Sequence, residues 1–315
     1  MRTGESRAGS PGFRPFSVES PAKINLLLKI TGTRGDGYHH IASIFQMLDL
    51  CDVMTFRPNR SGKVRVTCSN RSIPARKNLA YRAAMSLWRP GLPGVDVHIE
   101  KRIPVGAGLG GGSSNAATAL YVLNRVWGRG LSDSALRKLG ARLGADVPFF
   151  LFAPRAWVTG VGDRLLALPP AQKFAVLLVK PPLRVATKKA YEAFDADLTN
   201  SPKSFRMPRQ IKKRGFPFKG TVEILENDLE KAVMKTRPIL ARVRRELQNL
   251  KGNGAMLTGS GSAVFTLFKG PDEALSAKRK ITGSFPWWSC VATPRLSMGH
   301  LKDLGRKTRW KLRKS

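Results

Sequence analysis

Pro104-Val-Gly-Ala-Gly-Leu-Gly-Gly-Gly-Ser-Ser114 runs directly into Asn115-Ala-Ala-Thr-Ala-Leu120. Glycine fills five of the nine positions from Gly106 to Ser114, and the alanine-rich run behind it favours helix. A glycine backbone takes positive φ readily and lets a ligand approach with no Cβ in the way. A helix start leaves N–H groups unpaired and carries roughly half a positive charge. The combination predicts an anion site, above all for a nucleotide phosphate. A strand-like run before the loop and a capped helix after it argue against a mere flexible turn.

Two familiar phosphate loops are excluded. The P-loop needs Gly-Lys-Ser/Thr after its second glycine, and no lysine stands between Gly106 and Ala119. The dinucleotide fingerprint needs an acidic residue at a strand end about 20 residues on. The next acidic residue here is Asp133, inside the following predicted helix.

A chain of 315 residues is comfortable for two domains, and 42% hydrophobic content supplies a sizeable core. No apolar run approaches the roughly 18 residues that span a bilayer, so no membrane association is expected. Residues 1–19 lack the apolar region of a secretory signal. Three cysteines (Cys51, Cys68 and Cys290) without a CxxC, and four histidines, argue for a reducing cytoplasm and against a disulfide framework or zinc site. The formal charge of +34 is diffuse apart from two segments. Residues 203–219 hold seven basic and no acidic side chains, and residues 302–314 hold seven basic against Asp303 alone. Solvated surface bias accounts for this better than a specific nucleic-acid surface, with non-specific polyanion binding expected either way.

Residues 1–16 read as a disordered lead-in. An apolar strand spans 16–30, and further strands are predicted at 53–56, 64–68 and 95–100. Helices are expected at 79–87 with Asn78 as N-cap, at about 115–127 with Ser113 or Ser114 as cap, and from Ser132 to a stop at Gly144. A hinge is placed at Pro169-Pro170. Beyond it come a buried strand (174–179), a helix (188–194), a basic structureless insertion (201–220) and helices at 229–234 and 239–250. A strand–glycine turn–strand unit (255–268), a helix (272–280) and a short strand (290–293) complete the chain. The mixed order predicts an α+β protein of two halves meeting at a cleft. The expected boundaries are 17–168 and 169–300, with a basic tail at 301–315.

Lys23 lies in an otherwise apolar strand, and a buried lysine wants a carboxylate. Asp146 lies just past a helix end in Gly144-Ala-Asp-Val-Pro148, apolar on both sides. An Asp146–Lys23 pair would keep the carboxylate ionised and place a positive charge beside a reacting oxygen. The plainer alternative is that Asp146 accepts turn hydrogen bonds.

Ser20-Pro-Ala-Lys-Ile-Asn-Leu26, Gly35-Asp-Gly-Tyr-His39, the glycine loop, Gly144-Ala-Asp-Val-Pro148 and Thr258-Gly-Ser-Gly-Ser-Ala-Val264 occur in the order expected of the GHMP kinases. The resemblance covers roughly residues 17–300. It implies a ribosomal-S5-domain-2-like N-terminal half and a ferredoxin-like C-terminal half. It also implies ATP and Mg²⁺ as cofactors, and a small-molecule alcohol carrying a cytidine as acceptor. Asp146 matches the proposed general base and Lys23 the catalytic lysine. Pro104, Val105, Gly106, Ala107, Gly108, Leu109, Gly110, Gly111, Gly112, Ser113 and Ser114 match the phosphate loop, with Ser114 a candidate Mg²⁺ contact. Asn78 and Leu79 fall near the adenine. Asn25, Tyr38, His39, Tyr191, Gly259 and Gly261 match substrate-contacting positions, with aromatic faces for the cytosine. Each taken singly also has a structural reading: Tyr38 as a core aromatic, His39 as a turn residue, Asn25 as a strand-edge hydrogen bonder. Ala107 departs from the family's glycine, which is tolerable where its φ is negative. The resemblance leaves the oligomer open between monomer and homodimer. The competing readings are a homoserine or mevalonate kinase, and a basic nucleic-acid-binding protein that has lost catalysis.

Overall fold

The computed structural model describes residues 13–70, 72–197 and 205–302. Most of the expected lead-in, the start of the basic insertion and the tail from residue 303 lie outside the described residues. In chain order the first part contains β1 (Phe16–Thr33), β2 (His39–Asn59), β3 (Val64–Cys68), α1 (Leu79–Leu87), β4 (Gly94–Glu100), α2 (Gly111–Val126), α3 (Asp133–Leu143), α4 (Val147–Phe150), β5 (Arg155–Gly160) and β6 (Arg164–Ala167). The second contains β7 (Ala175–Lys180), α5 (Thr187–Asp195), α6 (Phe218–Glu223), β8 (Glu226–Asn227), α7 (Leu229–Thr236), α8 (Pro238–Asn249), β9 (Asn253–Leu257), β10 (Val264–Phe268), α9 (Pro271–Ser284), β11 (Trp288–Ala292) and α10 (Gly299–Lys302).

Two sheets result. The larger has seven strands in the order β3-β4-β2-β1-β8, with β5 joined to β2 and β6 to β5. The smaller is the antiparallel sheet β11-β7-β10-β9. β2 is long enough to serve two neighbours on one edge, pairing Ile41–Gln46 with β5 and Val53–Asn59 with β4. The short β8 comes from the second part of the chain yet pairs with β1, so the two halves share a sheet edge.

Small residues let α1 and α2 pack closely. Ala80, Ala83 and Ala84 of α1 and Ala116, Ala117 and Ala119 of α2 are all buried in one core with Leu120 and Leu123. Asn78 caps α1 by accepting from Ala80 N–H at 3.0 Å, and Ser132 caps α3 by accepting from Ala135 N–H. Both caps agree with the sequence.

Two expectations for α2 are corrected. α2 begins at Gly111, four residues earlier than predicted, and its cap is Gly110 in the left-handed conformation. Ser113 and Ser114 are already helical and cannot adopt the extended backbone of a capping serine. Gly144 ends α3 as expected, and Pro148 sits in the first turn of α4, where its missing N–H costs nothing.

The insertion is not structureless over residues 205–220. A 3-10 turn covers Arg209–Lys212, and α6 begins at Phe218. Ile211 and Phe216 are buried, and Phe205 stacks on Trp157 at 6.2 Å. Its charges conceal apolar anchors spaced between them. At the other end Leu301 is buried on α10, so the described fold extends to residue 302.

Candidate active site

The glycine loop connects β4 to α2 and lies between the two sheets. Lys23 N–H donates to Leu109 C=O at 2.9 Å, tying the loop to β1. Ser262 and Ala263 N–H donate to Gly106 and Ala107 C=O at 3.3 and 3.0 Å, tying it to the hairpin between β9 and β10. Ala107 and Leu109 point inward and are buried, while Gly106, Gly108 and Gly110 carry positive φ between them. Among the described residues Lys251 is the only non-glycine with positive φ, so Ala107 meets the condition for replacing glycine.

Two glycines are obligatory on contact grounds. A Cβ on Gly108 would lie 2.1 Å from Thr258 C=O, and one on Gly110 would lie 2.9 Å from Phe150 Cζ. After Gly110 the first helical hydrogen bond is Ser114 N–H to Gly110 C=O, at 2.9 Å. The amides of Gly111, Gly112 and Ser113 therefore have no partner four residues back, and they start a dipole aligned with the cleft.

The strand beneath the loop presents the charged pair. The β1–β2 register slips between Pro21 and Lys23 and again between Asn25 and Leu27. These bulges bracket Lys23 and Asn25, which share one strand face two residues apart. Lys23 Nζ lies 3.4 Å from Asp146 Oδ2, with side-chain exposures of 5% and 31%. It also donates to Asn25 Oδ1 at 2.7 Å and stands 4.4 Å from the centre of the Phe45 ring. Asn25 Nδ2 donates to Ser43 Oγ at 3.0 Å, and its backbone N–H donates to Thr258 Oγ1 at 3.1 Å. Asp146 precedes α4 but makes no capping hydrogen bond with its side chain. Its carboxylate is therefore committed to Lys23 and the cleft rather than to the turn.

Gly259 closes this arrangement from the second sheet. A Cβ there would meet Asn25 Oδ1 at 3.3 Å and Lys23 Nζ at 3.7 Å. The cleft between these groups has a volume of about 440 Å³. Residues 104–113 line it, as do Lys23, Asn25, Asn78, Leu79, Asp146, Tyr191, Gly259 and Gly261.

The cytosine candidates divide. Tyr191, on α5, lines the cleft, and its hydroxyl is pushed up to about 12 by burial, with the Asp146 charge adding. His39 stacks on Tyr191 with ring centres 4.7 Å apart, and its Nε2 lies 2.8 Å from Asp195 Oδ1. Tyr38 is 67% exposed, which rules out the core-aromatic reading and leaves its ring face free. Asp195, which orients His39, gave no sequence signal beyond its place at a helix end.

Ser114 is misplaced as a metal contact. It is fully buried, accepts from Ser20 Oγ at 2.8 Å, and does not line the cleft. One helical step moves a side chain by about 100°, so Ser113 rather than Ser114 faces the cleft.

A buried polar network also went unread. Asp52 on β2 is fully buried and accepts from Lys101 Nζ, from Asn115 Nδ2 at 2.9 Å, and from Arg102 and Ile103 N–H at 2.9 Å each. Asn115 Nδ2 donates onward to Ser20 Oγ at 2.9 Å. This network anchors both ends of the loop to β1 and β2. The signal available was of the kind used for Lys23, a charge inside a largely apolar strand.

A glycine loop at a helix start, clasped by a second sheet and set over a lysine–carboxylate pair, is the arrangement a small-molecule kinase requires. Sequence models of the GHMP kinases match twice, the N terminal domain over residues 78–153 and the C terminal over residues 219–286. A 4-diphosphocytidyl-2-C-methyl-D-erythritol kinase of Syntrophotalea carbinolica is 39% identical over 285 residues, covering 88% of this chain and 98% of that one. One from Neisseria gonorrhoeae is 40% identical, covering 84% and 90%. A crystal structure of 4-(cytidine 5'-diphospho)-2C-methyl-D-erythritol kinase superposes with a TM-score of 0.71 at 33% identity, covering 89% and 99%. Homoserine kinase from Cytophaga hutchinsonii superposes at 0.66 with 17% identity, covering 94% and 98%, which shows the shared fold alone. The chain belongs to the GHMP kinases, in the family of 4-diphosphocytidyl-2-C-methyl-D-erythritol kinases. It is a phosphotransferase with an alcohol group as acceptor.

Proposed function

We propose that this enzyme transfers the γ-phosphoryl group of ATP to the 2-hydroxyl of 4-diphosphocytidyl-2-C-methyl-D-erythritol, in the non-mevalonate route to isoprenoid precursors. The observation that carries the reading is the Lys23–Asp146 pair, 3.4 Å apart beneath the glycine loop, with the carboxylate free of any capping duty. Asp146 takes the proton of the acceptor hydroxyl as its oxygen bonds to the γ-phosphorus. The bond from that phosphorus to the β,γ-bridging oxygen breaks, and ADP leaves. Lys23, held by Asn25, positions the Asp146 carboxylate and offers positive charge beside the entering oxygen. The amides opening α2 and the positive-φ loop hold the phosphates, with Asn78 and Leu79 towards the adenine.

Mg²⁺ is usually held by one or two carboxylates together with substrate phosphates. No group of three acidic, histidine or cysteine side chains suited to a metal occurs among the described residues. One carboxylate, Asp146, lines the cleft with the hydroxyl-bearing Ser113, Thr187, Tyr191 and Ser260, a donor set that fits a phosphate-borne Mg²⁺. The ion would supply charge neutralisation on the phosphates. The cytidine is assigned to the mouth, between the exposed face of Tyr38 and the Tyr191–His39 stack. Three free cysteines accord with a cytoplasmic enzyme.

The test is ADP release by the purified protein with ATP, Mg²⁺ and each acceptor in turn. Turnover with the cytidyl substrate, and none with homoserine or mevalonate, supports the assignment. Turnover with mevalonate alone, or none at all from a folded, ATP-binding protein, would sink it.

A further inference from the structure

Both lysines beneath the loop are already matched by carboxylates: Lys23 by Asp146 and Lys101 by Asp52. An incoming triphosphate therefore gains little net positive charge from the floor of the cleft. Arg184 is a cation that rests on the loop itself, and it forms no ion pair among the described residues. It ends the turn 181–184 that follows β7. Lys180 Nζ donates to Pro181 and Leu183 C=O at 2.8 and 2.9 Å, and Ser262 Oγ donates to Leu183 C=O at 2.8 Å. The turn is thus fixed from β7 and from the same hairpin that clasps the loop.

From this turn the Arg184 stem lies along Gly106, where a Cβ would come 3.3 Å from Arg184 Cγ and 3.5 Å from Cδ. The stem is packed, but the guanidinium is not. Its polar contact is Nη2 to Ser72 Oγ at 3.5 Å, at the limit of hydrogen bonding, and the residue is exposed. A planar guanidinium presents paired donors that match phosphate oxygens bidentately. The lysine beside Asn78, Lys77, also forms no ion pair among the described residues and lines the cleft, but it reaches from the α1 side rather than from the loop.

We propose that Arg184 is a nucleotide-binding residue: its guanidinium leaves Ser72, folds over Gly106 and clamps the phosphates of the bound nucleotide. The second half of the chain thereby contributes a charge to nucleotide binding as well as the hairpin. This inference rests on the kinase reading above.

Its test is equilibrium binding of ATP and of adenosine to the full chain, for wild type, Arg184→Ala and Arg184→Lys, at two salt concentrations. Arg184→Ala is expected to weaken ATP roughly tenfold, to leave adenosine within about twofold, and to reduce the salt dependence of ATP binding. Arg184→Lys should recover part of the loss. Equal weakening of ATP and adenosine would overturn the proposal in favour of a packing role against Gly106. Unchanged ATP affinity would overturn it outright. A wild type that binds no ATP would instead remove the kinase reading, an outcome visible before any variant is compared.

Discussion

Replacing Asp146 by asparagine keeps the shape of the site and removes one charge. In the native arrangement Lys23 and Asp146 stand 3.4 Å apart, an attraction of about 5 kcal/mol at an effective dielectric near 20. Little of that is expected to appear as lost stability. Asp146 is 31% exposed and its charge is partly solvated, while Lys23 retains Asn25 Oδ1 at 2.7 Å and the Phe45 ring. The net cost should be about 1 kcal/mol, or a fall of roughly 2–4 °C in the thermal midpoint. Catalysis should suffer far more, because asparagine cannot accept the hydroxyl proton. Loss of a positioned base lowers kcat by about 10²–10⁴, which is roughly 3–5 kcal/mol of barrier. The KM for ATP should stay within about threefold, because the loop amides and Gly110 cap do not depend on the carboxylate. Steady-state ADP release, with thermal denaturation of the same samples, separates these effects. A kcat within tenfold of wild type would refute Asp146 as the base. A collapse of the thermal midpoint together with ATP binding would show that its role is structural.

Gly108→Ala forces a side chain to φ +76° and against Thr258 C=O at 2.1 Å, so loop and hairpin must separate. With about 1–2 kcal/mol of backbone cost and two cross-sheet hydrogen bonds at about 1 kcal/mol each, about 3 kcal/mol or more should be lost in urea denaturation, along with ATP affinity. An unchanged midpoint contradicts the clasp. Among the described residues Arg155, 1% exposed on β5, has no acidic partner and its Nε and Nη2 make no hydrogen bond, so burial lowers its pKa to about 10. Arg155→Leu gives up the 3.0 Å bond to Pro169 C=O but removes the buried charge, and should raise unfolding free energy by about 1 kcal/mol. A loss above about 2 kcal/mol would mean that the charge is compensated in solution. Burial also pushes the Cys51 thiol up to about 11, so at pH 8 it should alkylate at least about tenfold more slowly than half-buried Cys68. Equal labelling rates in the folded protein would contradict that burial.

Where local chemistry decides the backbone, the sequence was a good guide. Asn78 and Ser132 are caps because their side-chain oxygens reach the next free amides, and Gly144 stops α3 because the chain must turn there. The loop misled by four residues at α2. Gly111 and Gly112 look like loop on propensity, but helical geometry is imposed on them by Gly110 behind and the buried alanines ahead. The basic insertion misled through its charge, since Ile211 and Phe216 bury individually without any periodic pattern to announce them.

The sequence by itself determined a glycine loop that opens a helix, the need of Lys23 for a carboxylate, and the family whose motifs these are. Those are properties of residues near in the chain, or of a charge that an apolar strand cannot bury alone. Only the tertiary structure decided which partners meet. It set Asp146 3.4 Å from Lys23 across 123 residues of chain, turned Ser113 rather than Ser114 to the cleft, gave His39 to Asp195, and laid Arg184 over Gly106. These contacts depend on two bulges in β1, on the phase of one helix and on the docking of the second sheet's hairpin. Each is fixed by packing of distant segments, which leaves no trace in local composition.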